Sequence, residues 1–166
     1  MVLGLSLATF TAVHVVLSLI ALAIGIAVVA AMAAGKEPGG WTHLFLAITT
    51  TISVTGFLFP FDGKVLPSHI TGVISLAVLA IAYLAYYQFK MAGRWRATYI
   101  VTAVIAFYLN AFVAVVQAFL KLEPLKSLAP TQSEPPFQAA QGALLLVVIA
   151  MGYLAVKKYH PAPAAA

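Results

Sequence analysis

Four histidines and a single asparagine carry most of the chemistry this chain has to offer. His14 and Asn110 fall inside long apolar stretches, where a strongly polar side chain is rare and faces a cavity or a partner. Gln117 and Gln141 stand nearer the same membrane surface as Asn110, so the four define one candidate polar cluster in half of a helical bundle. His69 opens the third apolar stretch from the side on which the first begins. Two imidazoles on separate helices are what a b-type haem needs, one above and one below the iron. The same pair, with Asp62 or Glu134, would suit a divalent metal. A quinone held by His14, with Asn110 and Gln117 orienting it, is a third ligand of the same set. Each residue also has a plainer reading. His14 and Asn110 could pair with neighbours to fix helix register, and His69 could cap a helix or sit at the membrane interface.

A weak internal echo bears on the histidine pair. Residues 16–24, VLSLIALAI, read like residues 73–81, VISLAVLAI. If Ser18 and Ser75 are equivalent, His14 precedes its serine by four residues and His69 by six. At about 100° per residue those positions face different ways, so the repeat does not favour a shared ligand. His43 sits beside Trp41 and reads as interfacial, and His160 lies in the tail.

Hydroxyls are more numerous. Thr11 and Ser18 share a helix face with His14, Ala21 and Gly25; Thr49, Thr50, Thr51, Ser53 and Thr55 crowd the second stretch. Ala103, Ala106, Asn110, Ala114 and Gln117 form a small-and-polar face, as do Gln138, Gln141, Val148 and Gly152. These faces are expected to point into a bundle, because lipid tails are as apolar as leucine and helices in membranes associate through small residues and hydrogen bonds. A hydroxyl on such a face satisfies itself on the carbonyl three or four residues back. The segment 130–137, PTQSEPPF, is either a polar lid over the cluster or a helix start, with Ser133 as cap and Pro135 in the first turn.

Several chemistries have no residues to perform them. There is no Gly-rich phosphate loop, His-Glu-x-x-His helix or nucleophile elbow. No carboxylate sits in the middle of an apolar stretch, which argues against a carboxylate-driven ion carrier. Cysteine is absent, so disulfides and thiolate sites are excluded.

The elements that must position these residues are five charge-free runs, each long enough for the roughly 20 apolar residues that cross a bilayer as helix. The 166 residues are 63% hydrophobic and only 8% charged, too little polar surface to cover a water-soluble globule. The expected fold is an all-α integral membrane protein, a five-transmembrane-helix bundle in one domain, with helices over about 5–34, 41–60, 68–90, 95–121 and 137–159. Gly35 to Gly40 separates the first two. The segment 60–63 closes the second, and Pro67-Ser68 opens the third with a candidate cap. Ala31-Met32-Ala33 has the form of a signal cleavage site, but no basic region precedes an apolar run far longer than a signal sequence, so the segment is read as a retained helix.

Charge orients the bundle. Lys36, Lys90, Arg94, Arg96, Lys157 and Lys158 fall on one side; Lys64, Lys121 and Lys126, with Asp62, Glu123 and Glu134, fall on the other. The positive-inside rule puts the N-terminus outside and the C-terminus in the cytoplasm, in a cell membrane of the bacterial inner-membrane kind. Trp41, Trp95 and most tyrosines gather toward the basic side, where amphipathic rings anchor. The net charge of +5 is explained by these helix ends and calls for no nucleic acid.

Three functions from different classes follow. The first is a cofactor or small-ligand protein built on His14, His69, Asn110, Gln117 and Gln141. The second is a channel or transporter for a small neutral solute, lined by the Thr-rich helix and Asn110. The third is a non-catalytic subunit of a homo-oligomer or larger membrane complex, with small residues such as Gly25 or Gly72 left facing outward.

Overall fold

A computed structural model describes residues 1–60 and 67–161. Asp62 and Lys64, counted above for orientation, and the proposed closing turn at 61–63 lie outside the described residues, as does the side chain of the proposed cap Ser68. The described chain is helical: α1 (Leu7–Ala33), α2 (Trp41–Thr55), α3 (Pro67–Tyr83), α4 (Arg94–Lys121), a short α5 (Glu123–Leu128) and α6 (Pro135–Lys158). Five helical spans are long and apolar enough to cross a membrane. They match the five expected runs, and the differences lie at the ends. A 3₁₀ turn, Gly56–Leu58, extends α2, and one turn of π-helix, Leu84–Gln88, extends α3. Helix α5 was not anticipated; Pro124 in its first turn and Glu123 beside it suit a helix start.

Local chemistry sets the boundaries. Ser6 caps α1 by accepting the Thr9 amide at 3.1 Å. At the far end Gly35 takes φ +75°, its amide donates to Met32 O and the Lys36 amide to Ala31 O, so the last carbonyls are satisfied in a Schellman turn. The link from α3 to α4 is tight, with Lys90, Met91 and Gly93 all left-handed and the Phe89 and Trp95 rings stacked 3.8 Å apart across it.

The start of α6 differs from expectation. Its N-cap is Glu134, not Ser133, and Pro135 and Pro136 fill the first turn. Ser133 instead shares a hydrogen bond with the Thr131 hydroxyl, and Gln132 Nε2 donates to Val116 O at 2.8 Å, pinning the loop to α4. Desolvation raises the Glu134 pKa, but hydrogen bonds from the Thr131 hydroxyl and from backbone amides together outweigh it and hold the carboxyl below its ordinary range.

Helix α4 is the hub. It packs against α1, α3 and α6, and α2 bridges α1 to α3. Thus α1 to α4 form a ring, and α6 lies outside it in the trough between α1 and α4. The shared core runs through Val28, Phe45, Leu79, Tyr99, Ala103 and Phe107. Gly25 permits the closest approach: a Cβ there would lie 2.7 Å from Phe107 Cδ2 and 3.0 Å from Phe45 Cε2. Gly72 is similarly covered, 2.9 Å from the Phe57 ring. Both glycines therefore face neighbouring helices within the bundle.

At the basic end Arg96 ties α4 to α6, donating to Val156 O at 2.9 Å and Tyr159 O at 2.6 Å. The buried Tyr159 hydroxyl donates to Glu37 Oε2 at 2.9 Å. Burial, and then the carboxylate that accepts its proton, push this phenol well above its ordinary pKa.

Candidate functional site

Inside the ring of α1 to α4, toward the end where α1 begins, is a cavity of about 120 Å³. His14 and Ser18 of α1 line it, with Thr49, Ser53 and Phe57 from α2 and its 3₁₀ turn, His69, Gly72 and Ser75 from α3, and Asn110 from α4. Three of the expected site residues, His14, His69 and Asn110, thus meet at one place. The other two do not. Gln117 is exposed, one turn past Val113, the last α4 residue on the wall. Gln141 belongs to α6, outside the ring; its Nε2 donates to Phe112 O at 3.2 Å and its Oε1 is buried without a partner. Residues 130–137 line no part of the cavity, so the loop is not its lid.

The repeat is misleading about the histidines. Ser18 and Ser75 both line the cavity, yet so do both imidazoles. His69 joins from the first turn of its span, with its ring stacked on Phe57 at a centroid distance of 5.8 Å. Gly72 leaves the space that Phe57 occupies. Ring position at a helix end thus compensates for an unfavourable angular register.

Most hydroxyls are committed locally, as helix geometry allows. Thr50, Thr51, Ser53 and Thr55 each donate to the carbonyl four residues back at 2.8–2.9 Å, as do Thr11 and Ser18. Thr51 is exposed, so the hydroxyl-rich face of α2 is only partly inward. The commitments determine what the cavity can offer. Thr55 gives its proton to Thr51 O at 2.8 Å, so its oxygen acts as acceptor toward His14 Nδ1, 3.1 Å away. Neutral His14 then carries its proton on Nδ1 and keeps a lone pair on Nε2. Ser53 likewise gives its proton to Thr49 O, so Ser75, 2.9 Å from Ser53 Oγ, is the donor of that pair. Asn110 Nδ2 reaches Ser18 O at only 3.4 Å, a long bond.

Thr49 is the exception. It is fully buried, lines the cavity and has no hydrogen-bond partner for Oγ1. A buried polar group of this kind is costly unless something enters to pair with it. Sequence reading placed Thr49 on a polar face but did not join it to His14. Its signal was faint, since five hydroxyls within seven residues look alike until four are seen to bond their own helix.

Size and donor set discriminate among the proposed ligands. The cavity is well below the roughly 300–1,000 Å³ of pockets that enclose cofactor-sized ligands, so a porphyrin does not fit it. Among the described residues no three His, Cys, Asp or Glu side chains gather as a metal set. What remains among the described residues is a lining without formal charge, with an acceptor at His14 Nε2, a donor at Asn110, the Thr49 hydroxyl sealed within the wall, and room for about one small ring or several waters. No protein-family model matches this chain, and no curated protein or solved structure is significantly similar to it.

Proposed function

We propose that this is a multi-pass membrane protein that binds a small, neutral, hydroxyl-bearing ligand in the cavity between α1 and α4, with a quinol headgroup as the leading candidate. The observation that carries the reading is the Thr49 hydroxyl, buried and unpaired on a wall it shares with His14 and Asn110. A phenolic O–H donates to His14 Nε2, and its oxygen accepts from Asn110, and from Thr49 once a small side-chain shift opens that buried hydroxyl to the space. Both ends of the ligand hydroxyl are then satisfied, and so is Thr49. Among the described residues no charged side chain lines the space, which favours a neutral ligand over an ion. The apolar spans favour insertion in a membrane, which this reading takes to be a cell membrane. Lys36, Lys90, Arg94, Arg96, Lys157 and Lys158 gather at one end of the helices, favouring an N-terminus outside and a C-terminus inside. The ligand cavity then lies in the outer leaflet.

Equilibrium dialysis of the purified, detergent-solubilised protein against a short-chain quinol tests this. Saturable one-site binding is expected, with His14→Phe and Asn110→Leu each weakening it about tenfold, as loss of one buried hydrogen-bond partner does. No saturable binding, or unchanged affinity in both variants, would overturn the assignment.

A further inference from the structure

A second concavity lies on the opposite side of α4, in the trough it forms with α6. It encloses about 460 Å³ and is almost wholly apolar, with walls at Val101, Ile105 and Tyr108 on α4 and Ile149, Gly152 and Tyr153 on α6. Gly152 shapes its floor: lacking a side chain, it lets α6 settle onto Val104, whose Cγ1 lies 3.2 Å from where a Cβ would sit.

Its extent matches one leaflet. On α6 the lining runs from Leu145 to Val156, a rise of about 16 Å at 1.5 Å per residue. Half of a roughly 30 Å hydrocarbon core is about 15 Å. Leu145 and Tyr108 lie near the midpoints of α6 and α4, so the groove begins at mid-membrane and opens at the basic end. There the two walls continue into cations. Arg94 stands seven residues before Val101, two turns along the same stripe, and Lys157 four residues after Tyr153. Both are exposed. Among the described residues the only ion pair is Lys126 with Glu123, at the other end. Arg96, by contrast, is committed to the α6 carbonyls and holds the groove walls together.

We propose that this groove binds one anionic phospholipid, its acyl chain along the α4–α6 trough and its phosphate between Arg94 and Lys157. The apolar trough alone would accept any lipid; the two unpaired cations at its mouth select a negative headgroup. Exposed Tyr153 stands one turn below Lys157, at the depth where an aromatic ring meets the lipid ester region. The site is separate from the cavity of the preceding section, on a different face of α4.

The test uses the full chain in nanodiscs of phosphatidylcholine doped with phosphatidylglycerol, with lipid retention read by native mass spectrometry. The parent should retain phosphatidylglycerol over phosphatidylcholine. The double variant Arg94→Gln/Lys157→Gln should reduce that preference by roughly thirtyfold, the equivalent of about 1 kcal/mol of headgroup attraction per cation. Ile105→Trp, at a partly exposed groove position, should displace both lipids while leaving the helical content unchanged. Equal retention of the two lipids by the parent, or an unaltered preference in the double variant, would overturn the proposal. So would disulfide-linked dimers from Val101→Cys and Ile149→Cys in this otherwise cysteine-free chain, since a second copy would then occupy the groove.

Discussion

Thr49→Val separates the two consequences of an unpaired buried hydroxyl. Valine matches threonine in shape and removes only the oxygen that finds no partner on the cavity wall. A buried, unsatisfied hydroxyl costs about 1–3 kcal/mol. Without ligand, the variant should therefore unfold no more easily than the parent, and should gain up to that amount if the cavity is dry. With ligand the sign reverses. The hydroxyl then makes a hydrogen bond of net value about 0.5–1.5 kcal/mol, so its loss should weaken quinol binding roughly two- to tenfold. Neighbouring Thr50→Val is the control. Its hydroxyl is bonded to Leu46 O at 2.8 Å and it lines no part of the cavity, so ligand affinity should not change. The assay is thermal unfolding in detergent, with and without a short-chain quinol, alongside equilibrium dialysis. The reasoning is refuted if unliganded Thr49→Val is destabilised by more than about 1 kcal/mol, because the hydroxyl would then already have a partner. Equal quinol affinity in Thr49→Val and parent refutes it from the other side.

Other expectations concern the frame around the cavity. Arg96→Gln removes two charge-assisted bonds, both from Nη1, to carbonyls at the C-terminal end of α6 and should destabilise the protein by about 2–3 kcal/mol in unfolding titrations, with Arg96→Lys recovering only part, since the lysine ammonium stops one bond short of the Nη1 position. Gly25→Ala places a methyl 2.7 Å from Phe107 and 3.0 Å from Phe45 and should cost about 1–3 kcal/mol by overpacking, measured the same way. The raised pKa of Tyr159 sets a pH window. Its folded value lies above the unfolded value of about 10, so its contribution is complete below pH 10 and is lost as pH rises through the folded value. The unfolding midpoint of the parent should consequently fall more steeply above pH 10 than that of Tyr159→Phe.

Much of the fold was legible because hydropathy is a local property. A run without charges must bury its backbone as helix wherever it meets lipid, and Gly35, Pro135 and the charged links mark the ends. The polarity of His14 and Asn110 was legible for the same reason: an expensive side chain announces itself without knowledge of its neighbours. Which neighbours it meets was not legible. Helices α1 and α6 are apolar on nearly every side, so no stripe distinguishes core from lipid, and small residues mark only part of each interface.

Tertiary packing decided the membership of the site. It set α6 outside the ring, which removed Gln141. It brought His69 from an unfavourable register to the wall through Phe57 and Gly72. It also left Thr49, one hydroxyl among several, without a partner. The sequence by itself determined that five apolar helices form and that a few polar groups must be shielded within them, because transfer free energy belongs to each residue. Only the three-dimensional arrangement decided which of those groups share a cavity, because a hydrogen-bond partner is a property of position.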